Sequence, residues 1–202
     1  MGKGGKNGIG GIFKMSSKYD KIIEPEVGLE YGVLRGFNYI DDAVFIKLPK
    51  NADIYGYRAK FFAFANAIAL RKGCLVICSE HHSDEISAKH DMEILQKYPN
   101  KLWTFVGIDE GATYGLSQLR HKQKFEKMVL INMPMTHELG KTIELLNGLD
   151  RNNIKFVYGE RDESYKYTPL LKRLYIDVFT VKGADHTFSD MMNSFVMLQR
   201  FV

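Results

Sequence analysis

The order of apolar runs along the chain predicts an α/β fold: a three-layer sandwich with a mainly parallel sheet and helices on both faces. Three observations predict it. Short apolar runs alternate with amphipathic stretches of about ten residues, the signature of βαβ units. Several runs, such as "CLVIC" at 74–78, are apolar throughout rather than alternating, which fits strands buried on both faces. The loops between them are mostly short, and no linker or internal repeat divides the chain.

In chain order, "LEYGVLRGF" (29–37) and "AVFIKL" (43–48) read as strands separated by the turn residues "NYIDD". In the stretch 55–73, Phe61, Ala65, Ile68 and Ala69 fall at helical spacing, with Phe62 beside them, and Gly73 follows as the stop. "CLVIC" is then a buried strand. "SAKHDMEILQKY" reads as a helix, "LWTFVG" as a strand, "ATYGLSQLRHKQ" as a helix and "KMVLINM" as a strand. "HELGKTIELLNGL" reads as a helix, "IKFVYG" as a strand, "TPLLKRL" as a short helix with Pro169 near its first turn, and "DVFTVKG" as a strand. "SDMMNSFVMLQRF" is the last helix. The sheet therefore has about six to eight strands, with right-handed crossovers.

The chain has 202 residues, enough for one domain with a sizeable core. Residues 1–20 read as a flexible, basic, glycine-rich tail, and residues 21–202 as a single domain without an inserted cap. The net charge of +4 is spread along the chain, and the densest basic run, Arg120 to Lys124, falls at an expected helix end, where cations suit the helix dipole. Nucleic acid is therefore not an expected partner. No apolar run reaches the roughly 18 residues of a membrane span, and the first residues lack a secretory apolar segment. Cys74 and Cys78 would lie about 13 Å apart on a strand, too far for a disulfide. Free thiols point to a reducing, cytoplasmic setting. The expected partner is a small-molecule substrate, with no membrane and with room for a homodimer.

Ligands of an open parallel sheet bind beyond the carboxyl ends of its strands. There the chain carries Pro49-Lys50-Asn51, then "SEHHSDE", Asp109-Glu110, Glu160 to Glu163, and "GADHTF". The central pattern is "GIDEGA": a strand runs into Gly107, Asp109 and Gly111, and a helix follows. Glycines flank a turn too tight for a Cβ, and the central side chain is presented at a helix N-terminus, whose field favours negative charge. Asp109 is equally a candidate for a plain helix cap. The loop "SEHHSDEISAKHD" offers His81, His82, Asp84, Glu85, His90 and Asp91, but at no zinc-motif spacing, so it reads as a solvated loop entering a helix. No metal and no cofactor are expected. Tyr55, Tyr57, Tyr114 and Tyr165 read as packing residues that could border a pocket.

A nucleophile-type residue at an elbow, an acid after a later strand and a histidine after the last strand form an order that resembles the α/β-hydrolases. The resemblance runs from about Asp41 onward, on "GIDEGA", "FVYGERDESY", "VKGADHTF" and "AFANAIALRKGCLVIC". It implies Asp109 as nucleophile, His186 as base and Asp162 as the acid that orients it, with Glu160 and Glu163 as rivals for that last role. An aspartate at the elbow is similar to the haloalkane dehalogenase and epoxide hydrolase branch. That branch has His and Trp beside the aspartate, where this chain has Ile108 and Glu110. Its usual His-Gly oxyanion loop is Leu48-Pro49 here, so the implied oxyanion donors are the backbone N–H groups of Lys50 and Glu110. The resemblance implies a small hydrolase acting on a neutral small molecule. The alternative is a non-catalytic binding or regulatory protein on the same scaffold.

Overall fold

The computed structural model describes residues 19–24, 28–37, 41–99, 101–135, 139–189 and 192–202. Among the described residues, eight strands form one sheet: β1 (Asp20–Glu24), β2 (Leu29–Arg35), β3 (Asp42–Lys50), β4 (Leu75–His81), β5 (Leu102–Ile108), β6 (Lys127–Ile131), β7 (Ile154–Gly159) and β8 (Asp177–Val181). Their spatial order is β1-β2-β4-β3-β5-β6-β7-β8. The strands β4-β3-β5-β6-β7-β8 pair parallel, and β1 and β2 join antiparallel at one edge. The antiparallel strand β1 starts at Asp20, inside the range expected for the tail. The preceding Tyr19 is buried, packed edge-on against Phe62. The rest of the expected tail lies outside the described residues.

Side-chain alternation along each strand splits the core into two layers. One face carries Val44, Ile46, Val76, Cys78, Val106, Ile108, Val129 and Ile131. It is covered by α1 (Lys60–Lys72), through Phe61, Phe64, Ala65 and Ile68, and by the C-terminal segment with α6 (Met192–Met197), through Phe195 and Leu198. The other face carries Phe45, Leu75, Ile77, Trp103, Phe105, Leu130, Phe156 and Tyr158. Its cover is α2 (Asp84–Gln96), α3 (Glu110–Ser117), α4 (Leu139–Leu146) and α5 (Thr168–Arg173). Helix α1 ends as its glycine signals: Gly73 turns left-handed, at φ 67, and its N–H reaches the Ala69 carbonyl. Both cysteines are buried free thiols.

Strand β4 runs three residues past "CLVIC" and is buried along its whole length. Ser79, Glu80 and His81, read from the sequence as loop, are therefore strand. The reason is Lys47, a fully buried lysine on β3 opposite Ser79. Its Nζ lies 2.8 Å from Asp91 Oδ2 and donates to Ser79 Oγ at 3.2 Å and to the Glu80 carbonyl at 2.5 Å. The Tyr114 ring centroid is 5.2 Å from the same nitrogen. His90 and Asp91 on α2 are also fully buried, so the histidine-rich segment is not a solvated face. Instead, His81 pairs with Asp84 at 3.1 Å, and Asp91 serves Lys47. Burial alone would raise the Asp91 pKa, but the Lys47 ammonium, the His90 ring 3.5 Å away and a hydrogen bond from Ser79 bring it below the ordinary carboxylate range. Ser83 caps α2 by accepting from the Ile86 N–H.

Beyond Lys47 the β3–β4 register shifts, so Lys50 rather than Pro49 pairs with His81. This bulge accommodates Pro49, which cannot donate to a ladder.

Candidate active site

Strand β5 delivers Asp109 into a strained turn. Its backbone sits at φ 55, ψ −126, a conformation costly for a residue with a Cβ. The turn is held by Asp109 N–H to the Ile131 carbonyl and by Ala112 N–H to the Asp109 carbonyl, each 2.9 Å. The flanking glycines are sterically required. A Cβ on Gly107 would strike the Ala112 backbone, and one on Gly111 would strike the Leu48 carbonyl oxygen. Gly111→Ala is therefore expected to destabilise the protein by about 1–3 kcal/mol, like overpacking in a core. Gly140→Ala, which meets open space, is the control, and denaturant midpoints of the two variants give the comparison.

Asp109 holds the N-cap position of α3, yet its side chain makes no cap bond. Its Oδ2 instead lies 2.9 Å from His186 Nε2. His186 Nδ1 lies 2.5 Å from Asp162 Oδ2. Three residues from three strand ends thus form one hydrogen-bonded line. The Asp162 side chain is almost fully buried, and its Oδ1 accepts from the Ser164 N–H at 2.7 Å. The rival acids are elsewhere: Glu160 accepts from the Gly183 N–H, and Glu163 is exposed. Asp185, the histidine's sequence neighbour, bonds Ser189 and Thr187 rather than His186.

Two residues that sequence reasoning missed fix the histidine loop. Asn132, at the end of β6 with φ 46, donates from Nδ2 to the His186 carbonyl at 2.5 Å and to the Asp185 carbonyl at 3.4 Å. Its Oδ1 accepts from the Gly159 N–H at 2.9 Å. Gly159 admits the loop, because a Cβ there would sit 2.6 Å from the Ala184 oxygen and 2.7 Å from that of Asp185. The available signal was position: Asn132 is a polar residue at the carboxyl end of a parallel strand, where ligand-side groups collect.

Of the two implied oxyanion donors, the Lys50 N–H points at the Glu110 carboxylate, 3.3 Å from its Oε2. That acid would have to swing aside before Lys50 could meet a substrate oxygen.

Hydrogen bonds to Asp109 and then Asp162 raise the His186 pKa from its ordinary 6.5 to about 10, against the opposing pull of burial. The imidazole is therefore charged at neutral pH. A raised folded-state pKa stabilises fully below 6.5, and that stabilisation is lost as pH rises through about 10. Between neutral pH and pH above about 10, the denaturant midpoint should accordingly fall further for the native chain than for His186→Gln.

Among the described residues no group of three or more His, Cys, Asp or Glu side chains could hold a metal ion. No described helix is long and apolar enough to cross a membrane.

No protein-family model and no curated protein sequence matches the chain. Solved structures do. Est1E from Butyrivibrio proteoclasticus matches with a TM-score of 0.68 at 10% identity, over 92% of this chain and 97% of that one. An alpha-beta serine hydrolase homologue from Coxiella burnetii matches with a TM-score of 0.67 at 14% identity, over 93% and 97%. XC6422 from Xanthomonas campestris, described as an a/b serine hydrolase without lid, matches with a TM-score of 0.64 at 12% identity, over 92% and 93%. At these identities the likeness is one of architecture. With its sheet order and its layered helices, the chain has the α/β-hydrolase fold.

Proposed function

We propose that the protein is a small hydrolase in which Asp109 is the nucleophile, His186 the base and Asp162 its orienting acid. The observation that carries this reading is the unbroken Asp109–His186–Asp162 line, 2.9 and 2.5 Å long, ending on a residue held in a strained elbow. A cap needs neither the strain nor the histidine, and the Asp109 carboxylate is engaged by the histidine. The non-catalytic alternative therefore gains nothing from the geometry.

A carboxylate that attacked an ester carbonyl would form an anhydride, so the chemistry suits attack on a saturated carbon, as in a halide or epoxide. The Asp109 oxygen bonds that carbon while the leaving group departs with its electron pair. Asp109 is then a neutral ester, and the largest influence holding the proton on His186 is gone. The imidazolium releases its proton to the leaving alkoxide or to water and becomes a base. It next takes a proton from a water molecule whose oxygen adds to the Asp109 carbonyl carbon. The adduct collapses by breaking the bond to the substrate oxygen, which leaves as the alcohol with a proton, and Asp109 is restored as a carboxylate.

The test is a single turnover, with enzyme in excess, in oxygen-18-labelled water and with a panel of neutral halides and epoxides. The expected result is unlabelled alcohol and label in the Asp109 peptide. Label in the first-turnover alcohol would mean direct attack by water and would rule out the covalent route.

A further inference from the structure

A cavity of about 290 Å³ opens beside the histidine loop, lined by Tyr57, Arg58, Lys60, Thr187, Phe188 and Ser189. Three of those residues directly follow His186. The proposed catalytic line is acidic on balance, with the carboxylates of Asp109, Glu110 and Asp162 set against the single imidazolium of His186. The adjoining cavity has the opposite character.

Arg58 is exposed, its guanidinium carbon 5.1 Å from the Tyr57 ring centroid, and among the described residues no carboxylate pairs with it. Lys60 reaches across from α1 and donates to the Thr187 carbonyl at 3.0 Å, so its charge is fixed at the cavity wall. Asp185, bonded within its own turn by Ser189 and Thr187, also acts on Lys60 as a nearby negative charge, which leaves Arg58, among the described residues, as the cation of the wall without an acid beside it. The backbone presenting Arg58 is itself strained. Gly56, Arg58 and Ala59 all have positive φ, at 68, 53 and 57. Two adjacent non-glycine residues in the left-handed region are uncommon, and such strain concentrates where a ligand is held. The Thr187 and Ser189 hydroxyls on the same lining already donate to Asp185, so the donors left for a ligand are the guanidinium of Arg58 and the ammonium of Lys60.

We infer that this cavity is a subsite for an oxyanion, a carboxylate or a phosphate at the far end of the substrate from the reacting carbon. The division of charge supplies the reason. An anionic group at Asp109 and Glu110 would be repelled, so the reacting end must be neutral. A planar guanidinium beside an ammonium suits an anion's oxygens, and the guanidinium can hold two of them at once. A substrate with a neutral electrophilic carbon at one end and an anion at the other would be aligned by the two opposed fields. The inference rests on the hydrolase reading for its chemistry, but anion binding does not require turnover.

The test is nuclear magnetic resonance titration of the isotope-labelled full chain with glutaramate, the singly charged half-amide of glutaric acid, with ethyl phosphate, and with the neutral isostere glutaramide. At least one anion should give saturable shifts at Arg58 and Thr187–Ser189, and whichever binds more tightly identifies the headgroup. Arg58→Gln should weaken that binding by about tenfold, the loss of a charge-assisted contact. Asp109→Asn should leave it unchanged. If glutaramide binds as well as the anions, if neither anion saturates at millimolar concentration, or if the Arg58→Gln, Lys60→Gln double variant binds undiminished, the subsite is wrong. An inert enzyme that still binds the anion at these residues would overturn the hydrolase reading and leave the subsite standing.

Discussion

Asp91→Ala is expected to cost about 3–5 kcal/mol, more than the loss expected from Gly111→Ala. Among the described residues it removes the carboxylate that forms an ion pair with Lys47, and it leaves the buried ammonium bonded to the neutral Ser79 hydroxyl and Glu80 carbonyl. The Lys47→Met, Asp91→Leu double variant removes both charges and should lie well above the single variant, because buried ion pairs are often replaceable by apolar packing. A double-mutant cycle on urea midpoints measures the coupling directly. A loss in Asp91→Ala under about 1 kcal/mol would mean that Lys47 finds water or loses its proton without penalty. The pair also bears on the candidate site. Gly111, at the start of α3, packs on the Lys47 and Leu48 carbonyls, so the residues that carry the Lys50 N–H are seated on this buried lysine.

The second large effect concerns turnover. On the proposed mechanism, His186→Gln should stop the cycle halfway: Asp109 would still attack, but no base would activate water on the ester. With a neutral halide as substrate, intact-protein mass spectrometry should find an adduct localised to Asp109. Steady-state turnover should fall by about 10²–10⁴-fold, the usual worth of a general base. Unchanged turnover with no adduct would remove His186 from the mechanism.

What the sequence made legible followed physical visibility. Strand β7 was readable to its boundaries because "IKFVYG" is buried, apolar and bounded by polar turns. The tight turn at Asp109 was readable because its glycines answer a steric need that leaves few other residues possible. The end of β4 was not. Ser79, Glu80 and His81 look like loop, and only a lysine one strand away makes them interior. That lysine sits in "FIKL", where nothing local tells a buried ion pair from an ordinary surface lysine. The strand β1 was hidden for a related reason, since an edge strand takes its identity from the partner it pairs with. At the candidate site, three acids within four residues left the choice among Glu160, Asp162 and Glu163 open. In the structure it is Asp162, with its backbone N–H on the Gly159 carbonyl, whose carboxylate meets His186.

The clamp of Asn132 on Gly159 and on the histidine loop has a counterpart in time. The groups it joins are far apart in sequence: Asn132 is 54 residues from His186, and His186 is 77 from Asp109. Parallel pairings of this kind close late, after the local helices and turns, because each must pay the entropy of a long loop first. During refolding, helical signal and much of the compaction should therefore return before the imidazole reaches the elbow. The Asp109–His186–Asp162 line would be the last feature to recover, and partly folded chains would be recognised by its absence rather than by any loss of secondary structure.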